Sequence, residues 1–290
     1  MISKTDFTLP YDPSFDYRSV LSFMTPRLIR GVESACDGVY SRTFRFPDGR
    51  GWLSLWNNEK ESSLEGKIYS DSKGSTGELL KIIRRMFDLD RDKSEINKRF
   101  AGDPLLSRGM PRGRVPGLPV AFDPFEFTVR AILGQQITVQ AATTLAGRIA
   151  ERSAHHTGIS FPDDLKYFFP TAEELNKTDL TGLGITATRQ KTIKTVTGAV
   201  LENRISLSPE QSFEEFNNSF LALKGIGPWT VNYVAMRGLG MADAFPASDL
   251  GIIKALAVNG KRPTTKDIER QAEKWRPWRS YAALCIWHIN

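Results

Sequence analysis

The hydrophobic and polar positions follow one pattern over the first hundred residues and another thereafter. From Gly38 to Arg50, Val39, Ser41, Thr43 and Arg45 alternate with Tyr40, Arg42, Phe44 and Phe46, a period-two mixture rich in β-formers. Pro47-Asp48-Gly49 is a turn signal, and Gly51 to Trp56 begins a partner strand; Gly66 to Ser70 supplies a third. Helical spacing flanks them. Val20, Leu21, Phe23, Met24, Leu28 and Val32 predict a helix over Ser19 to Ala35, broken near Pro26, and Leu79, Leu80, Ile83, Met86 and Phe87 predict one over Thr76 to Leu89. Residues 1–100 therefore read as an α+β domain with an antiparallel sheet.

Residues 101–120 hold four prolines and four glycines, which forbid long regular structure. They read as a linker, or as a basic strap whose Arg108, Arg112 and Arg114 touch phosphate. From 121 to 290 the pattern is helical almost throughout. Asp123-Pro124 with Glu126 forms a cap and first turn. Phe125, Val129, Ile132 and Leu133 make one apolar face, and Ile137, Ala141, Leu145 and Ile149 another. Gly134-Gln135-Gln136 interrupts them, either as a solvated pair on one long helix or as a helix–loop–helix break presenting glutamine side chains. Leu180–Gly184 (LTGLG) and Leu223–Gly227 (LKGIG) share one short pattern, each ahead of a helical segment.

The second of these corners carries chemistry. Gly225 and Gly227 let the chain turn sharply after the helical Ser212 to Leu221, and Pro228 suits the first position of the next helix. Backbone N–H groups then converge at a helix N-terminus, a site for anions and for phosphate above all. Lys224 lies beside it. Twenty-two positions after Gly227 comes Asp249, reached through a loop containing Gly238, Gly240 and Pro246 and followed by the apolar Leu250 to Leu256. Taken alone, Asp249 is an N-cap.

Composition narrows the partners. Of 290 residues, 39 are Lys or Arg against 33 acids, a net charge of +6 that suits an anionic partner. Two cysteines, Cys36 and Cys285, rule out a disulfide framework or a four-cysteine cluster, and three histidines, two of them the adjacent His155 and His156, make a zinc site a poor fit. The start MISKTDFTLPYDPSFDY lacks the apolar core of a signal peptide, and no stretch approaches the ~18 apolar residues of a membrane span. The expectation is a cytosolic protein without metal or cofactor.

Together these residues resemble the helix-hairpin-helix, Gly/Pro-rich-loop, Asp superfamily of DNA glycosylases, and within it the AlkA-type 3-methyladenine DNA glycosylases II. Five segments in family order carry the resemblance: Ala121–Glu126 (AFDPFE), Val129–Gln136 (VRAILGQQ), Gly225–Thr230 (GIGPWT), Ser248–Gly251 (SDLG) and Trp275–Ala282 (WRPWRSYA). Pro10-Tyr11-Asp12 fits as well. The resemblance implies an N-terminal α+β domain followed by an all-α glycosylase core. It implies excision of alkylated purines such as 3-methyladenine and 7-methylguanine from double-stranded DNA by a monomer, at the nucleoid if bacterial.

The resemblance also implies residue roles. Asp249 is the catalytic carboxylate that stabilises the cationic sugar, while Lys224, Gly225, Ile226, Gly227 and Pro228 form the DNA-binding hairpin. Trp229, Tyr233, Trp287, Phe23 and Arg27 line the pocket for a flipped, positively charged base. Gln135 and Gln136 enter the duplex as a wedge, with Gln136 where an apolar residue is usual. The lysine that bifunctional members carry just after the hairpin is replaced by Trp229, which implies a monofunctional enzyme; Trp275 and Trp278 are structural. Three other readings stand beside this one: a non-catalytic helix-hairpin-helix DNA-binding protein, a glycosylase for oxidised purines, and a helical interaction protein.

Overall fold

The computed structural model describes residues 2–47, 49–72, 74, 76–153, 156–157 and 160–289; Asp48 of the expected turn and His155 lie outside them. The N-terminal part is one antiparallel sheet in the order β1-β5-β4-β3-β2. Its strands are β1 (Ser3–Pro10), β2 (Glu33–Cys36), β3 (Val39–Phe46), β4 (Gly49–Asn58) and β5 (Ser63–Ser70). The three expected strands are all present. In the β3–β4 register Tyr40 faces Leu55, Arg42 faces Leu53 and Phe44 faces Gly51. This face, with Phe7, Leu9, Leu64 and Ile68, packs on α1 (Tyr17–Met24) and α2 (Thr76–Met86) to form a first core.

Two strands and one helix depart from the sequence pattern. β1 was not singled out, although its Phe7 and Leu9 alternate inward against β5. The helix expected to run to Ala35 ends at Met24. A 3₁₀ turn over Thr25–Arg27 takes up Pro26, and Glu33–Cys36 pairs with β3 instead. The reason is local: Asp37 and Gly38 both have positive φ (50° and 78°), the backbone of a two-residue hairpin turn.

After α3 (Ser94–Ala101), the proline-rich segment is not a loose linker. Leu106, Met110, Val115, Leu118 and Val120 are buried. Its backbone is tied on both sides, Val120 N to Met86 O (3.0 Å) and Ala121 N to Arg237 O (2.7 Å). The remaining elements are helical: α4 (Pro124–Leu133), α5 (Val139–Arg152), α6 (Ala172–Lys177), α7 (Ala187–Leu201), α8 (Phe213–Leu221), α9 (Pro228–Arg237), α10 (Leu250–Ala255), α11 (Thr265–Ala272) and α12 (Arg279–Trp287). Asp123 caps α4 by accepting from Glu126 N (2.8 Å). Trp275 is buried and donates its indole N–H to Asp103 (2.9 Å). Among the described residues no helix is long and apolar enough to cross a membrane.

A buried ionic cluster joins the sheet to the helices. Arg42, on the inward face of β3, contacts Glu126 of α4 at 2.8 Å and Glu33 of β2 at 3.6 Å. Arg130, one helical turn after Glu126, lies 3.6 Å from it and 3.4 Å from Glu33. Tyr40 and the Ile29 amide also donate to Glu33, at 2.7 and 3.0 Å. Burial alone would raise the Glu33 carboxyl, but Arg130, Arg42 and these donors outweigh it and hold it below the usual range. Glu126 is pushed up, because burial there outweighs the Arg42 charge. Arg42→Met would leave the buried Glu126 and Glu33 with Arg130 alone to answer two carboxylates. The expected loss is about 3–5 kcal/mol in unfolding free energy, read by urea denaturation.

Candidate active site

Four local structures meet around one cleft of about 370 Å³. The first is the break between α4 and α5. It is a true break: Gly134 ends α4, Gln136 has φ +57° and Thr138 caps α5 through Ala141 N (3.2 Å). The second is the hairpin from α8 to α9. Its Ile226 is buried and anchors the turn, while Lys224 and Gly225 are exposed. Pro228 occupies the first helical position, and Gly227, the N-cap, offers no side chain to the free amides of the first turn. The third is the N-terminus of α10, capped by Asp249, and the fourth is the end of α12 with Trp287.

Asp249 is half-buried and accepts four hydrogen bonds. Its Oδ1 takes the amides of Gly251 (2.9 Å) and Ile252 (3.2 Å) and the indole N–H of Trp287 (2.9 Å). Its Oδ2 takes the indole N–H of Trp229 (3.0 Å). The carboxylate is thus an N-cap and also the meeting point of two tryptophans from different helices. Each hydrogen bond to a charged acceptor is worth about 1.5–3 kcal/mol, enough to fix its orientation at the cleft wall.

The aromatic wall follows from helical spacing. Trp229 and Tyr233 are four apart on α9 and stack at 4.9 Å with an interplanar angle of 20°. Tyr233 meets Trp287 edge-on (6.3 Å) and Phe127 of α4 at 5.2 Å. Phe23 does not line the cleft. It stacks behind Trp287 at 6.1 Å and carries the Arg27 guanidinium 3.7 Å above its ring. Arg27 does line the cleft, beside Arg130.

Gln135 and Gln136 part company. The Gln135 amide donates to Gly225 O (3.1 Å) and to Thr230 Oγ1 (3.0 Å), so its side chain is a strut between the break and the hairpin rather than a free wedge. Its own carbonyl accepts from Arg189. Gln136 stands exposed.

Sequence reasoning passed over Phe127, Arg130 and Arg237. Phe127 lies off the apolar stripe of α4, and nothing in the spacing of Arg130 marks it as part of a cleft. Arg237 is buried against Phe23 and Phe127, donates to Pro119 O, and is pulled down to about 10 by burial.

This fold and site define a helix-hairpin-helix base-excision DNA repair protein. Residues 129–277 match the model of the HhH-GPD superfamily base excision DNA repair proteins, and residues 6–123 match that of the AlkA N-terminal domain. The chain belongs to the HhH-GPD superfamily. It is 34% identical over 284 residues to a probable bifunctional transcriptional activator/DNA repair enzyme AlkA of Mycobacterium tuberculosis, covering 96% of this chain but only 56% of that longer protein. It is 30% identical over 287 residues to DNA-3-methyladenine glycosylase 2 of Escherichia coli, covering 98% of this chain and 97% of the relative. The fold is also that of the 3-methyladenine DNA-glycosylase from Archaeoglobus fulgidus, with a TM-score of 0.79 at 22% identity over 98% of this chain and 97% of that one.

The two hairpin glycines are not equivalent. Gly225 has φ +93°, and a Cβ there would fall 2.0 Å from Thr192 Oγ1. Gly227 has φ −114°, open to any residue, and a Cβ there meets nothing within 4 Å among the described residues. Gly225→Val should therefore lower the thermal midpoint by several degrees. Gly227→Val should fold normally yet weaken binding to damaged and undamaged duplex alike, because only an approaching phosphate would meet its side chain. Gel-shift titration and thermal melting check the pair.

Proposed function

We propose that this chain is a monofunctional DNA-3-methyladenine glycosylase that hydrolyses the N-glycosidic bond of alkylated purines, 3-methyladenine and 7-methylguanine among them, in duplex DNA. The observation that carries this reading is the Asp249 carboxylate, fixed by two indole N–H groups on the wall of an aromatic cleft beside a phosphate-ready hairpin. The names of the Escherichia coli and Archaeoglobus fulgidus relatives support the substrate class.

The chemistry follows from the geometry. The free amides at the start of α9, with exposed Lys224, grip a backbone phosphate. Exposed Gln136 at the α4–α5 break enters the space the target nucleotide leaves on flipping. The flipped base lies among Trp229, Tyr233 and Trp287, whose faces attract a cationic methylpurine by about 0.5–2 kcal/mol each. As the bond from the sugar to the base stretches, positive charge grows on the sugar, and the fixed Asp249 carboxylate lowers the energy of that charge. Water then adds to the sugar, leaving a free base and an abasic site. No metal or cofactor is needed, and the protein works as a monomer.

The residue after Pro228 is Trp229, and no lysine lines the cleft among the described residues. An amine that could form a Schiff base with the sugar is missing from the wall, which supports the monofunctional reading over a glycosylase/lyase. A module that only binds DNA would have no use for a carboxylate clasped by two tryptophans.

Asp249→Asn is the direct test. Asparagine caps a helix as well as aspartate does, so the fold and affinity for duplex DNA should persist. Release of methylated bases, measured by chromatography, should fall by at least about a hundredfold; near-wild-type release removes Asp249 from the mechanism. In a separate assay, borohydride added to the wild-type enzyme on methylated duplex should trap no covalent adduct, and the strand should stay intact after base loss. A trapped adduct would mean lyase chemistry.

A further inference from the structure

Arg27 has a setting unlike that of the other arginine on the cleft wall. Arg130 is neutralised by Glu33 and Glu126. The Arg27 guanidinium contacts no carboxylate among the described residues. Its Nη1 donates to Phe23 O (2.6 Å), its Nε is buried without a partner, and its Nη2 has no partner among the described residues. The ring of Phe23 holds it in place from below. Arg27 and Asp249 line the same cleft with opposite charges, yet they form no ion pair with each other. They stand at the two ends of a packed chain in which Phe23 stacks on Trp287 and Trp287 donates to Asp249.

We propose that Arg27 is a second catalytic residue, the electrophile that receives negative charge on the departing base and so extends the enzyme from cationic methylpurines to neutral lesions. The proposal rests on the glycosylase reading above. In the reaction, the bond from sugar C1′ to purine N9 breaks and its electron pair goes to the base. The oxygen of water bonds to C1′ and the proton that water gives up passes to solvent; a base that leaves as an anion takes a proton back from solvent, whereas one that leaves neutral takes none. Asp249 answers the positive charge formed at the sugar, and Arg27 answers the negative charge formed at the base. A 7-methylguanine starts as a cation and leaves as a neutral molecule, so it departs with little help. Hypoxanthine starts neutral and must leave with anionic character, so it depends on a donor with free N–H groups and uncompensated charge. A guanidinium on the cleft wall with no carboxylate partner among the described residues supplies both.

The experiment compares single-turnover release of hypoxanthine and of 7-methylguanine from two duplexes of the same sequence, using the full chain and its Arg27→Met and Arg27→Lys variants. Methionine fills similar volume without charge. Arg27→Met should slow hypoxanthine release roughly tenfold or more beyond any slowing of 7-methylguanine release, and Arg27→Lys should recover part of that gap. A thermal midpoint and an affinity for undamaged duplex equal to those of the unsubstituted chain show that the variant is folded. Equal losses on both bases would make Arg27 a mere wall and overturn the proposal, as would a wild-type enzyme that releases 7-methylguanine but no hypoxanthine. A wild type that releases neither base would remove the glycosylase reading, and this proposal with it.

Discussion

The buried ionic cluster of Arg42, Glu126, Glu33 and Arg130 is the constraint on which the site depends. Two cations and two carboxylates compensate one another away from water, where a missing member would leave an unpaired buried charge. They come from β2, β3 and α4, so the cluster specifies how the sheet sits on the helices. Arg130 carries the constraint into the cleft, since it lines the wall and donates to the carbonyl of Arg27. The strand-rich half of the molecule thereby fixes the position of a guanidinium in a cleft formed mostly by the other half.

A second economy lies at Asp249. Capping α10 already holds this carboxylate by two amides, and the indoles of Trp229 and Trp287 add two donors from α9 and α12. Each tryptophan therefore has two tasks: its face walls the cleft and its N–H orients the acid. Replacing either one disturbs both at once, which is why a loss of activity on truncating such a residue cannot be read as base stacking alone. The hairpin and the break are joined in the same way through Gln135, so the hairpin and exposed Gln136 are held at a set spacing.

What the sequence made legible and what it hid divide along physical lines. The hairpin, Pro228 at the start of α9 and Asp249 as a cap were readable because glycine, proline and aspartate mark backbone conformations that few other residues prefer. β3 and β4 were readable from alternation. β2 is hidden because Val32 falls at helical spacing after Leu28, although the Asp37-Gly38 turn closes the strand. The packing of residues 101–120 was hidden because proline and glycine argue against regular structure without arguing against burial. Within the site, helical spacing placed Trp229 and Tyr233 on one wall correctly, but spacing along the chain cannot show that Phe23 ends up behind Trp287, or that Gln135 turns back to the hairpin. Those are tertiary contacts between segments 90 to over 200 positions apart.

The glycines of the hairpin show how a demand of the fold is separated from a demand of the ligand. Gly225 is required by the protein itself, because its positive φ and the nearby Thr192 leave no place for a side chain. Gly227 meets no such restriction, and its extended backbone would accept any residue. Empty space in front of a helix N-terminus whose first amides lack a side-chain cap is what a phosphate oxygen needs to approach within hydrogen-bonding distance. A side chain at Gly225 opposes folding, whereas one at Gly227 meets only open space among the described residues. The same distinction separates Arg130 from Arg27: one guanidinium is consumed by the carboxylates that hold the fold together, and the other meets no carboxylate among the described residues.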